Sequence, residues 1–224
     1  MISPNLLEIN EQESMDANLI LSSFELDIYQ NITNESRQKE FLVGRYAIKK
    51  NLAENGPSFM GEFQDISVEY GKLRFPIIRD SLIEVGLSHS KKYVFSIIYS
   101  KDQVVGVDIE TIRSDIPIED MLSTAEKNMI AGYCSPAQFA YIFFSCKEAL
   151  GKALKMGLLA DYSIYEIKSI ESEQWFGKEV FQLEFKKFPF LTAYSFMKND
   201  KEICSLVVPQ KVNVEQVLEY LIVS

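Results

Sequence analysis

Phe143-Phe144-Ser145-Cys146-Lys147-Glu148-Ala149-Leu150-Gly151-Lys152-Ala153-Leu154-Lys155-Met156-Gly157 passes from an aromatic run straight into Lys-Glu, with a second Lys one helical turn beyond the Glu. Phe139, Ile142, Phe143, Cys146, Leu150 and Ala153 recur at three- and four-residue intervals, which predicts a helix with one buried stripe over about residues 136–156. Glu148, Lys152 and Lys155 fall on another face. As an exposed i,i+4 pair, Glu148 and Lys152 would contribute only about 0.2–0.5 kcal/mol. Whether they are such a pair or part of a site depends on an acidic motif further upstream.

That motif is Val107-Asp108-Ile109-Glu110. In a strand, Asp108 and Glu110 point to one face and Val107 and Ile109 to the other. The approach from Val104 to Val107 is apolar, so the strand is expected to be buried, where unpaired carboxylates are costly. A divalent cation would relieve the repulsion. Oxygen ligands without His or Cys suit Mg²⁺, which commonly shares its shell with substrate phosphates. Glu148 is a candidate third carboxylate, and Lys147 and Lys152 would stand near those phosphates.

The remainder of the chain fits an ordinary globular protein. With 224 residues, 47% hydrophobic and 12% aromatic, it is long enough for one large domain or two lobes. A net charge of −9 argues against nucleic-acid binding. Cys134, Cys146 and Cys204 are odd in number and lack C-x-x-C spacing, which suggests neither a disulfide framework nor a zinc site. No apolar run is long enough to cross a bilayer, and a cytoplasmic protein is expected.

Residues 18–30 read as a strand and a short helix. A helix follows over Arg37–Leu52, capped by Asn34 or Ser36 and stopped at Asn55-Gly56-Pro57. Asp65–Tyr70 alternates, and Gly71-Lys72 turns the chain into Leu73–Phe75. Tyr93–Tyr99 is a strand, and Val104–Glu110 is expected to pair with it. Ser123-Thr124-Ala125-Glu126 and Ser135-Pro136-Ala137-Gln138 read as capping boxes. Four further strands are expected over 163–170, 178–186, 192–197 and 202–208, then a terminal helix at 214–221. Laying the second half on the first pairs Phe41 with Phe143, Arg45 with Lys147, Ala47 with Ala149 and Lys50 with Lys152, the pattern of an internal duplication.

Gly106-Val107-Asp108-Ile109-Glu110 followed by Phe144-Ser145-Cys146-Lys147-Glu148-Ala149-Leu150-Gly151-Lys152 resembles the paired signature of the 4′-phosphopantetheinyl transferases, G-[IV]-D-[IV]-E and [FW]-[ST]-x-K-E-x-x-x-K. Leu87-Ser88-His89-Ser90 is similar to the family's LSHS segment, and Phe41–Arg45 and Gly71-Lys72 to its weaker N-terminal motifs. Length and pattern resemble the larger subclass named for the surfactin synthetase activator. That likeness implies a monomeric α+β fold of two pseudo-duplicated lobes, residues 1–103 and 104–224, each a small antiparallel sheet packed with helices, with the active site in the cleft between them. The N-terminal lobe would take the 3′-phosphate and adenine side of coenzyme A.

The activity implied is transfer of the phosphopantetheine arm of coenzyme A to a serine of an acyl or peptidyl carrier protein, releasing adenosine 3′,5′-bisphosphate. Asp108, Glu110 and Glu148 would hold Mg²⁺, Glu148 and Lys152 would be catalytic, and Arg45, Lys49, Lys72, Ser88, His89, Lys147 and Lys152 would contact coenzyme A. The serine proton would go to Glu148 directly or through a metal-bound water. Docking of an acidic carrier calls for a basic surface, from Lys91, Lys92, Lys152 and Lys155. The alternative from another class is a non-catalytic coenzyme A or nucleotide-binding module of the same fold.

Overall fold

The helix expected around Phe143 runs from Pro136 to Ala153 in the computed structural model, which describes residues 1–9, 15–57, 61–79, 81–113, 115 and 118–224. Its stripe of Phe139, Ile142, Phe143, Cys146, Leu150 and Ala153 is buried. Burying one Leu, Ile or Phe side chain contributes about 1.5–3 kcal/mol, so this face commits the helix to packing against a sheet.

Two compact units make up the chain, Met1–Asp102 and Gln103–Ser224. In the first, β1 (Ile2–Glu8), α1 (Ala17–Ile20), α2 (Ser23–Gln30) and α3 (Glu35–Asn55) precede β2 (Val68–Tyr70), β3 (Pro76–Ile78), β4 (Ile83–His89) and β5 (Tyr93–Ser100). The second has β6 (Gly106–Thr111), α4 (Thr124–Ile130) and α5 (Pro136–Ala153), then β7 (Ile167–Trp175), β8 (Lys178–Phe185), β9 (Leu191–Met197), β10 (Glu202–Pro209) and α6 (Glu215–Val223). Each unit thus contains the run short helix, long helix, four strands after a first strand; the first unit adds α1 before it and the second adds α6 after it. Antiparallel sheets ordered β1-β5-β4 and β6-β10-β9-β8-β7 carry α3 and α5 respectively, and β2-β3 form a separate pair.

Several sequence expectations are corrected. β6 pairs with β10, not with β5, whose neighbours are β1 and β4; Lys101-Asp102 is the junction of the units instead of a hairpin turn. The 18–30 stretch holds two helices and no strand, because Ser22 and Glu25 form a capping box that starts α2. Ser135 makes no side-chain cap, leaving Pro136 to open α5. The Leu-Ser-His segment is itself the end of β4.

A buried carboxylate anchors each unit in the same way. Glu126, third residue of α4 and the acidic member of its capping box, accepts from the Ser123 amide at 2.8 Å, the Lys147 ammonium at 2.7 Å and the Ile167 amide at 2.9 Å. Glu25, third residue of α2 and the acidic member of its capping box, accepts from the Ser22 amide at 2.9 Å, the Val68 amide at 3.0 Å and Lys49. The ammonium groups also donate to the carbonyls of Met121 (3.1 Å) and Ile20 (2.8 Å). A short helix, the long helix and the strand that follows are thereby joined at one carboxylate.

Packing of α5 against β6 is close enough to require Gly106. A Cβ there would stand 1.9 Å from the Ala149 carbonyl oxygen and 2.5 Å from the Ala153 amide, both backbone atoms that no rotamer change can move aside. Gly106→Ala is therefore expected to lower the stability of the protein by about 3 kcal/mol, the upper part of the overpacking range, read as a fall in the urea midpoint. An unchanged midpoint would show that the helix is free to lift from the strand.

Candidate functional site

The close approach at Gly106 brings the acidic strand under the polar face of α5. Asp108, 3% exposed, accepts from Lys152 Nζ at 2.6 Å through Oδ1 and from Ser145 Oγ at 2.7 Å through Oδ2. Glu110 has weaker company. Its Oε1 accepts from the Thr111 amide at 3.1 Å and faces Arg113 at 3.6 Å. Burial, reinforced by the Asp108 charge, pushes the Glu110 carboxyl up to about 7. Glu148 is also raised, by burial first, with Lys152 opposing and Asp108 adding to the shift. The expected carboxylates therefore share one electrostatic neighbourhood with Lys152.

The donor set suits Mg²⁺ in kind, being oxygen only, and a cation would relieve the repulsion that raises Glu110. Among the described residues, no three His, Cys, Asp or Glu side chains form a ready metal cluster. The three carboxylates are thus not closed around one point, and waters and phosphate oxygens would have to complete a Mg²⁺ shell there.

The first unit holds a cationic cavity of about 140 Å³ lined by Arg37, Glu40, Phe41, Arg45, Tyr70, Arg74, Pro76, Leu87 and His89. Arg45 lies between the rings of Phe41 and Tyr70, at 4.5 and 4.6 Å from their centroids, with Nε 3.1 Å from Glu25. Its Nη2 is buried with no hydrogen-bond partner among the described residues. A buried guanidinium donor in that condition costs free energy until an acceptor completes it, which makes the cavity a candidate anion site. Gly44 allows the wall to close, since a Cβ there would meet Leu87 Cδ2 at 3.0 Å and His89 Nε2 at 3.3 Å.

Arg45 and His89 thus meet in this cavity, and four other expected ligands do not. Lys147 and Lys49 are buried on Glu126 and Glu25, so their ammonium groups hold the frame together in place of the phosphate contacts implied for them. Burial lowers the Lys49 ammonium, with Glu25 working against the shift. Ser88 is buried on the face of β4 opposite Leu87 and His89. Lys72 is exposed at the β2–β3 turn and does not line the cavity, whereas Arg74 does. Arg74 takes a left-handed backbone (φ 63°). Sequence reasoning passed over both Arg74 and Arg37; the Gly-Lys pattern drew attention to Lys72, and only the turn geometry separates the two.

Comparison with known proteins agrees with this arrangement. The family model described as the 4′-phosphopantetheinyl transferase superfamily matches residues 104–205, which include the whole acidic site. A holo-[acyl-carrier-protein] synthase of Staphylococcus carnosus (strain TM300) is 33% identical over 82 residues, covering 34% of this chain and 70% of that protein. With Asp108, Glu148 and Lys152 of the paired signature gathered at one site, the chain belongs to the 4′-phosphopantetheinyl transferase superfamily.

Proposed function

We propose that this protein transfers the phosphopantetheine arm of coenzyme A to a serine of an acyl or peptidyl carrier protein, as a member of the larger two-lobed subclass. The observation that carries the reading is the convergence of Asp108, Glu110, Glu148 and Lys152 on one partly buried site. Attack of a hydroxyl on a pyrophosphate phosphorus asks chiefly for positioning and for neutralisation of phosphate charge. Asp108, Glu110 and Glu148 are the residues that would hold Mg²⁺, which supplies charge neutralisation on the pyrophosphate. Lys152, its side chain 31% exposed, can extend from Asp108 toward a phosphate oxygen. Glu148, with its carboxyl raised by burial, is suited to take the proton of the carrier serine. In the first unit, the cavity around Arg37, Arg45, Arg74 and His89 is smaller than a nucleoside needs and matches the 3′-phosphate of coenzyme A.

Incubation with coenzyme A, Mg²⁺ and a panel of apo carrier domains is expected to add the mass of the phosphopantetheine arm to at least one carrier. Bound coenzyme A without any mass gain would favour a non-catalytic binder. For the anion cavity, Arg74→Ala should raise KM for coenzyme A about tenfold, the loss of one charge-assisted hydrogen bond, while leaving KM for 3′-dephospho-coenzyme A unchanged. Lys72→Ala should change neither. An equal effect of Arg74→Ala on both substrates would remove the 3′-phosphate from this cavity.

Glu110 gives a pH signature. Its carboxyl keeps a proton in the folded state up to about 7, while the unfolded chain releases it near the ordinary value of 4.5. The folded state binds more protons between those values, so Glu110's contribution to stability without metal falls as pH rises through that window. Cation binding must displace the proton, and Mg²⁺ affinity should weaken roughly tenfold per pH unit below about 7. Asp108, Arg113 and Lys152 are the charged groups around it. Titration calorimetry on Glu110→Gln should show a flatter profile than on the natural protein; an identical profile would assign the proton elsewhere.

A further inference from the structure

Behind Asp108 lies a row of serines that the proposed reaction does not use. Ser205 on β10 is the register partner of both Asp108 on β6 and Ser195 on β9, so the three residues lie side by side across adjacent strands. Ser145 on α5 closes the row from above. Its Oγ is 2.7 Å from Asp108 Oδ2 and 2.9 Å from Ser205 Oγ, and Ser205 Oγ is 2.9 Å from Ser195 Oγ. All three serines are fully buried, and the Cys146 thiol lies 3.8 Å from Ser205 Oγ as a further weak partner.

The protons in this row have one consistent arrangement. A serine hydroxyl has one proton to donate, and an ionised carboxylate can only accept. Ser145 must therefore give its proton to Asp108 and accept from Ser205, and Ser205 must in turn accept from Ser195. Every hydroxyl dipole points toward the carboxylate, and aligned bonds of this kind strengthen one another in a low-dielectric interior. Neutral donors orient Asp108 without cancelling its charge. Lys152, a charged partner of Asp108, is partly exposed, so it is able to leave.

We infer that Ser145, aligned by Ser205 and Ser195, is a positioning residue that fixes the Asp108 carboxylate by Oδ2 and keeps Oδ1 presented to a cationic partner. The functional part of this inference rests on the transferase reading of the acidic site; the orientation of Asp108 does not. Removing an outer-shell partner of a ligating carboxylate typically costs 10–100-fold in metal affinity. Ser145→Ala is therefore expected to weaken Mg²⁺ binding to the coenzyme A complex by about that factor, and Ser145→Thr, which keeps the hydroxyl, to restore most of it. Ser205→Ala should give a smaller loss in the same direction.

Two measurements test this on the full chain: calorimetric titration with MgCl₂ in the presence of coenzyme A, and a crystal structure of each variant grown without Mg²⁺. Support is an Asp108 side chain turned or split between conformers in Ser145→Ala, together with the weaker Mg²⁺ binding. An unmoved Asp108 and natural Mg²⁺ affinity, with or without a lower unfolding midpoint, would overturn the inference and leave the serines a packing role. Should Ser145→Ala fail to fold, Ser205→Ala and Ser195→Ala carry the same two readouts, and natural values in both would overturn the aligned row. Absence of Mg²⁺ binding by the natural protein would sink the transferase reading of the acids, while Asp108 orientation in the variants would still decide the positioning role.

Discussion

Each unit depends on a carboxylate placed where a carboxylate is costly. Glu25 and Glu126 are fully buried, and an ion so placed is tolerated only when its lone pairs are met by donors. Both are met by the amide of their own N-cap, by the first amide of the strand after the long helix, and by an ammonium from that helix. Three segments distant in sequence must arrive together for the charge to be satisfied. Packing of apolar faces is permissive about a helix's rotation and translation, and this interaction is not. It fixes where α3 and α5 lie, and hence which of their residues face a site.

The two copies differ in one consequential detail. In the second unit Lys147 supplies the ammonium; in the first, Lys49, one turn beyond the position that matches Lys147, does so. Arg45, at the matching position, is thereby relieved of being the main partner of Glu25. Only its Nε stays near that carboxylate, and its terminal nitrogens lie between two aromatic rings at the wall of a cavity. A shift of one turn in the structural cation thus converts its neighbour from an element of the frame into a cationic wall of the cavity.

This is also where the sequence was hardest to read. The stripe of α5, the Ser123 capping box, the strand at Tyr93 and the paired acidic and Lys-Glu motifs are local patterns, and local patterns are legible. That Lys147 and Lys49 turn inward is not local. A lysine in a helix carries the same letter whether it meets a phosphate or a glutamate some twenty residues earlier. Ser-x-x-Glu announces a cap but not that its carboxylate has a second oxygen engaged elsewhere. The pairing of β6 with β10 escaped for the same reason, since strands near in sequence are the natural first guess and the true partner lies at the far end of the unit. Ser205 and Ser195 carried no signal at all, because a buried serine in a strand acquires meaning only from the register that sets it beside Asp108.

The shared frame makes the chemical divergence of the units plain. Asn5 on β1 is paired with Ser96 on β5 as Asp108 on β6 is paired with Ser205 on β10. Asn5 is as buried as Asp108, but it is a neutral amide, held by Glu54 and accompanied by Asn51, which donates to the Ser96 carbonyl. Charge in the first unit sits instead in the arginines and histidine of its cavity. One copy of the frame therefore presents positive charge and the other carboxylates. An ordinary anion would satisfy the first and be repelled by the second. Phosphate oxygens can meet the arginines directly, whereas they can meet the carboxylates only through a shared divalent cation.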